Sequence, residues 1–322
     1  MNIFDGVDGV FPPDLESHRS GYAGLPLGEA YGPGTEQPPP GEAAWVVRGY
    51  GYGYGPDGRF ESRFAHFTEH VDTTRVRALV VGEWEDAYEK SADHVVAALA
   101  GKAAAFPELR ALFLGDMPSE RCEISWIRQA DVTPLLEAFP RLERLEVRGG
   151  SGLRLRPVRH EALKVLRFES GGLPAEVVRA VGASEFPALE HLELWLGVSD
   201  YGGDATVADL EGVLSGERLP ALRRLGLQDS EIQDEIAAAV AAAPVVARLE
   251  ALALSMGTLT DEGAEALLSG QPLTHLALLD LHHHYLSDAM AERIRRALPG
   301  VTVDLSEKEE PDEEWRYVAV AE

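Results

Sequence analysis

Ten side chains able to make strong directional contacts fall in short runs: Arg144, Glu146 and Arg148; Arg167 and Glu169; His191, Glu193 and Trp195; Arg224 and Gln228. Most are spaced two apart, and alternate residues of an extended chain point to the same side, so each run offers one charged face. Arginine and tryptophan are the side chains that most often anchor protein interfaces, and the chemistry this set offers is recognition of another protein. A plainer reading is that the charges pair across neighbouring strands, each pair contributing about a few tenths of a kcal/mol. The alternative is an enzyme with an unrecognised site on the same surface, using His191 with Glu193 or Glu169 as acid and base.

Other candidates are weaker. His282, His283 and His284 follow Asp280 closely, but consecutive strand residues point to alternate faces and do not converge on one ion. Asp200 and Asp204 lack the ligand series and glutamate of a calcium loop and read as part of a solvated loop. Cys122, the only cysteine, has Glu120 and Glu123 for neighbours, which oppose formation of a thiolate. In the glycine-tyrosine run, Tyr54 stands where a dinucleotide fingerprint starting at Gly49 and Gly51 needs its third glycine. The expectation is no catalytic residue, no metal and no cofactor.

The elements that must position these residues repeat. Segments starting at Leu222, Leu249 and Leu276 superpose without gaps at a shift of 27 residues, with leucines at the first, fourth and sixth places. The same Leu-x-x-Leu-x-Leu core starts upstream at Leu189, Leu163, Leu142 and Leu109, with a degenerate copy at Val76. Successive starts lie 33, 33, 21, 26, 33, 27 and 27 residues apart, so about eight units fill residues 76–305. In each unit the fourth and sixth places face one side of a short strand, and the third, fifth and seventh face the other. A helix follows: Thr260 and Ser287 are suited to cap it, Asp261 and Asp288 to favour its N-terminus, and Val240, Leu267 and Ile294 to turn inward.

This period and consensus resemble leucine-rich repeats of the ribonuclease-inhibitor-like type. The resemblance implies an α/β fold: a curved solenoid, or horseshoe, with a parallel sheet on its concave face and helices on its convex face. Strands about 4.8 Å apart beside helices about 8–10 Å apart force such a stack to bend with the strands inside. The chain departs from the pattern at the ninth place. There Met117, Gly150, Gly171, Gly197, Ser230, Gly257 and His284 replace the usual asparagine, so no asparagine ladder forms. The runs Ile124–Ile127, Asp131–Pro140 and Phe168–Val178 also look like a bacterial family of leucine-rich-repeat proteins with no established activity. That likeness covers residues 45–322 and implies a fold rather than a function.

Around the repeats, residues 1–43 are rich in proline, glycine and acids without a period, and are expected to be poorly ordered. Residues 44–75 are expected to form an N-terminal cap hairpin, with strands at Ala44–Tyr50 and Arg59–Phe67. Residues 306–322 read as an acidic linker and a C-terminal strand folded back on the cap. On the concave face a mostly apolar ledge, Ala78, Val80, Gly82, Ala111, Phe113 and Gly115, adjoins the charged centre.

Composition limits the partner. With 54 acidic and 29 basic residues the net charge is -25, which repels nucleic acid and anionic lipid and favours a neutral or basic protein. A single cysteine excludes an internal disulfide, and no stretch has the apolar length of a membrane span. The expected protein is a cytoplasmic protein-binding scaffold, such as an inhibitor or assembly subunit, with no nucleic acid or membrane partner.

Overall fold

The computed structural model describes residues 15–30, 37–50, 56–312 and 315–321. Its strands are β1 (Gly21–Tyr22), β2 (Leu25–Glu29), β3 (Ala44–Val47), β4 (Ala78–Val81), β5 (Ala111–Leu114), β6 (Arg144–Arg148), β7 (Val165–Glu169), β8 (His191–Gly197), β9 (Arg224–Ser230), β10 (Ala251–Ala253), β11 (Leu278–Asp280) and β12 (Thr302–Asp304). They form one open sheet in chain order. Only β1 and β2 pair antiparallel; every later neighbour is parallel.

The register is the one the repeat demands. Leu79, Leu112, Leu145, Leu166, Leu192, Leu225, Leu252 and Leu279, each at the fourth place of its unit, sit side by side from β4 to β11. All eight are wholly buried in one continuous apolar core. Helices α1 (Phe60–His70), α2 (Asp93–Gly101), α3 (Thr133–Ala138), α4 (Ala175–Ala183), α5 (Glu211–Ser215), α6 (Gln233–Val240), α7 (Asp261–Ser269) and α8 (Asp288–Ala297) cover that core. Val240, Leu267 and Ile294 reach it as expected. The 21-residue unit has no helix; Leu153 and Leu155 fill the space instead.

Capping links one unit to the next. The Thr260 hydroxyl accepts from Glu262 N, and that of Ser287 from Met290 N. Thr260 in turn donates to Asp234 through its backbone N at 2.8 Å and its hydroxyl at 2.5 Å, and Ser287 does the same to Asp261 at 2.8 and 2.7 Å. The acid in each helix's first turn therefore also fixes the cap of the following helix. Where asparagine is missing, buried glutamines satisfy some of the backbone carbonyls. Gln129 Nε2 donates to the Arg148 carbonyl at 2.7 Å, and Gln233 Nε2 to that of Leu227 at 3.0 Å. The glycines allow contacts that a side chain would block. A Cβ on Gly197 would collide with the Gly171 carbonyl oxygen.

The ends differ from the sequence expectation in three ways. Residues 21–29, expected to be poorly ordered, supply β1 and β2, and β2 pairs with β3. The hairpin cap is replaced by a further strand-helix unit, because Phe60, Phe64 and Phe67 repeat at helical rather than strand spacing and bury one face of α1. Tyr52 and Tyr54 lie outside the described residues. The final strand β12 stands where Val301, Val303 and Leu305 place it. Among the described residues the segment after it forms no further strand, only isolated bridges of Lys308 with His284 and of Asp312 with Trp315. No helix among the described residues is long and apolar enough to cross a membrane.

Candidate functional site

The sheet face away from the helices carries the third, fifth and seventh places of each unit. Its charged centre forms one interlocked array on β6 to β9. Arg144 Nε donates to Glu146 Oε1. Arg167 Nε lies 3.0 Å from Glu193 Oε1 and 3.2 Å from Glu169 Oε1, and its Nη1 lies 3.7 Å from Glu146. Arg148 Nε donates to Glu169 Oε2 at 2.6 Å, and its Nη1 to the Met117 carbonyl at 3.2 Å. His191 Nε2 stands 3.4 Å from Glu193, which also accepts from Trp195 Nε1 at 2.9 Å. The guanidinium of Arg167 lies 5.4 Å from the Trp195 ring centre. Gln228 extends the array to Ser255 at 2.8 Å, and Ser255 to Asp280 at 3.2 Å.

All ten sequence-predicted residues thus lie on adjacent strands of one face. They are not the open surface the sequence suggested. Nine of them are buried, with Trp195 and Glu169 at 0% exposure, and Arg224 is half-buried. The physical reason is that residues 15–22 and 317–321 lie over this face. Arg19 Nη2 meets Glu169 Oε1 at 3.0 Å, and its guanidinium stacks 3.9 Å from the Phe113 ring centre. Tyr22 packs edge-on against Phe113 with ring centres 5.9 Å apart, and the Arg144 guanidinium sits 5.2 Å from the Tyr22 ring. Tyr22 also closes an apolar cluster with Ala44, Val46, Ala78, Val80 and Ala111, so the expected ledge is covered too. Leu15 from one end and Val320 from the other meet over Trp195, together with Ile124 and Met256.

The C-terminal segment docks by a regular device with no signature in the sequence. Asp229, Met256 and His283 occupy the eighth place of three successive units, and all three have left-handed backbones, with φ of 56°, 67° and 52°. Each holds one point of the tail. His283 Nε2 lies 3.1 Å from the Tyr317 carbonyl, Ala319 N donates to the Met256 carbonyl at 2.8 Å, and Val320 N donates to Asp229 Oδ1 at 2.9 Å. Further along, Ser125 donates to the Ala321 carbonyl, and a Cβ on Gly171 would collide with that oxygen. Gly149, at the same place of an earlier unit, also has a positive φ of 105°, so this backbone recurs in the repeat, and in these three units it lies beside the tail.

Electrostatics separate the two docking sites. Burial alone would raise Glu169, but Arg148, Arg167 and Arg19 outweigh it and hold its pKa at about 2. Burial would likewise raise Asp116, yet His18, Arg19, Arg148 and Arg48 keep it below its ordinary value. His18, bonded to Asp116 and then Glu83, is pushed up to about 9. Asp229 has no cation to offset its burial, so its pKa is raised well above the usual carboxylate range despite the Val320 and Ala319 amides.

The remaining candidates resolve individually. His282 Nδ1 lies 2.7 Å from Asp280, while His284 accepts from Leu286 N and reaches the Leu305 carbonyl, so the three histidines serve different contacts. Asp204 is exposed in a loop, as expected, and its carboxylate also accepts from Ala175 N at 2.7 Å at the start of α4. Burial, followed by Glu123, pushes the Cys122 thiol up to about 11. His18, Arg19 and Tyr22 escape sequence reasoning, because they stand in a segment without a period and give no local signal, and Asp116, at the eighth place of the Leu109 unit, gains its role only from their docking.

No family model matches the chain, and no curated protein does. Among solved structures, the chain is similar to a Bacteroides fragilis protein whose crystal structure was determined as a structural genomics target. The two are 29% identical with a TM-score of 0.74, over 84% of this chain and 76% of that one.

Proposed function

We propose that the chain is a curved leucine-rich-repeat solenoid of the ribonuclease-inhibitor-like type that binds a basic protein partner, and that residues 15–22 occupy its concave face as an internal ligand. One observation carries this reading: Arg19 is held between the Phe113 ring and the Glu169 carboxylate, as an interface anchor would be. Glu83 and Asp116 receive the neighbouring His18 in the same way. The face offers carboxylates and an aromatic platform to an extended segment bearing cationic and aromatic side chains. A partner presenting the same chemistry would compete with residues 15–22, and the acidic body would speed its approach.

The test uses a synthetic peptide spanning Leu15–Gly24 and a chain lacking residues 1–24, with circular dichroism to verify its fold. The peptide should bind saturably, and its Arg19→Ala/Tyr22→Ala form at least about tenfold more weakly, since loss of anchors costs roughly 2 kcal/mol or more. No binding, or equal binding of the two peptides, would refute the reading.

A further inference from the structure

Away from that covered sheet face, three ligating side chains converge from two adjacent units. Glu61 lies in the first turn of α1, Glu85 in the turn after β4, and His94 in the first turn of α2. One carboxylate oxygen of each glutamate and one imidazole nitrogen all lie within 4.8 Å of one another. The imidazole is fixed in orientation. Its Nδ1 is 3.1 Å from the Ser91 carbonyl, which only accepts, and its ring stands edge-on to buried Phe60 at 6.4 Å.

With the proton on Nδ1, the neutral ring turns an Nε2 lone pair toward Glu85, whose Oε2 is 3.7 Å away. Nε2 is shielded from solvent and has no hydrogen-bond partner. The gap exceeds the roughly 2.7–3.2 Å of an N–H···O bond. It is close to the spacing of two ligands that each lie about 2.1 Å from a shared ion. Among the described residues, no lysine or arginine pairs with either glutamate, although other half-buried carboxylates such as Glu83, Asp86 and Asp131 each have one.

We propose that Glu61, Glu85 and His94 form a binding site for a divalent transition-metal ion. Two carboxylates and one imidazole suit Zn²⁺ or Mn²⁺ better than Ca²⁺, which takes about six to eight oxygen ligands. Glu85 and His94 are half-buried and preset, while exposed Glu61 closes the set from the solvent side. An ion held there ties α1 to the following unit and stiffens the N-terminal end of the stack. A second group, Asp280, His282 and Asp304, has comparable spacing. Its chemistry differs, because Asp280 already accepts from His282 Nδ1, His282 N and Ser255.

The test titrates ZnCl₂ and MnCl₂ into the full chain, first stripped with a chelator, and follows heat of binding and thermal melting. The parent and an Asp304→Asn variant should each bind one ion and melt at higher temperature with it. His94→Gln and Glu61→Gln/Glu85→Gln should lose affinity by more than the roughly 10–100-fold that loss of an outer-shell partner costs. Glu61→Gln alone, on an exposed helical turn, keeps the test decisive if His94→Gln fails to fold. The proposal is overturned if the parent binds neither ion, if the site variants bind as tightly as the parent, or if only Asp304→Asn weakens binding.

Discussion

Arg19 and Glu169 are 150 positions apart in the chain and 3.0 Å apart in space, with the guanidinium of one resting on the carboxylate of the other. The contact joins a segment without any period to the centre of the repeat sheet. Glu169 already serves Arg148 and Arg167, so Arg19 is the third cation on one buried acid. Such an arrangement places the docked segment under electrostatic control, and pH is the simplest way to vary it.

His18 carries the pH dependence at neutral and alkaline values. Its pKa is raised from 6.5 to about 9 by Asp116 and Glu83, so the protonated form favours the docked state. That contribution is complete below about pH 6.5 and disappears as pH rises through about 9. Amide hydrogen exchange of residues 15–22 should therefore quicken, relative to the intrinsic rate, between those limits. His18→Gln should remove this dependence; an unchanged profile in the variant would assign it elsewhere.

Asp229 should behave in the opposite sense to a paired carboxylate. Its folded pKa lies well above 3.8, so its ionisation opposes folding, and the associated stability is lost as pH rises. Asp229→Asn keeps an acceptor for Val320 N and suits the left-handed backbone. The variant should be at least as stable as the parent at pH 7 and lose its advantage near pH 4, as measured by urea unfolding. A large loss of stability at pH 7 would show that the charge is needed.

Trp195 is a core residue of the docked state. It is wholly buried beneath Leu15 and Val320, and its indole nitrogen satisfies Glu193. Trp195→Ala should cost about 3–5 kcal/mol through lost contact and the cavity it leaves. Glu185→Ala, at an exposed ion pair with Arg159 and Arg218, should change stability by about 0.5 kcal/mol or less. Equal melting of parent and Trp195→Ala would mean that the two chain ends do not bury this ring in solution.

The repeat register from Leu79 to Leu279 is legible in the sequence, because each unit must bury the same two strand positions and has few other ways to do so. So is the placing of the ten charged and aromatic residues on one face, since alternation along a strand is a local property. What lies over that face is a matter of tertiary structure alone. Arg19, Tyr22 and Val320 reach their partners through contacts that carry no sequence period, and their pairing energies depend on burial that the fold itself creates. The left-handed backbones of Asp229, Met256 and His283 belong to the same class. Non-glycine residues adopt such a backbone uncommonly, and each of the three holds one point of a chain segment distant in the sequence.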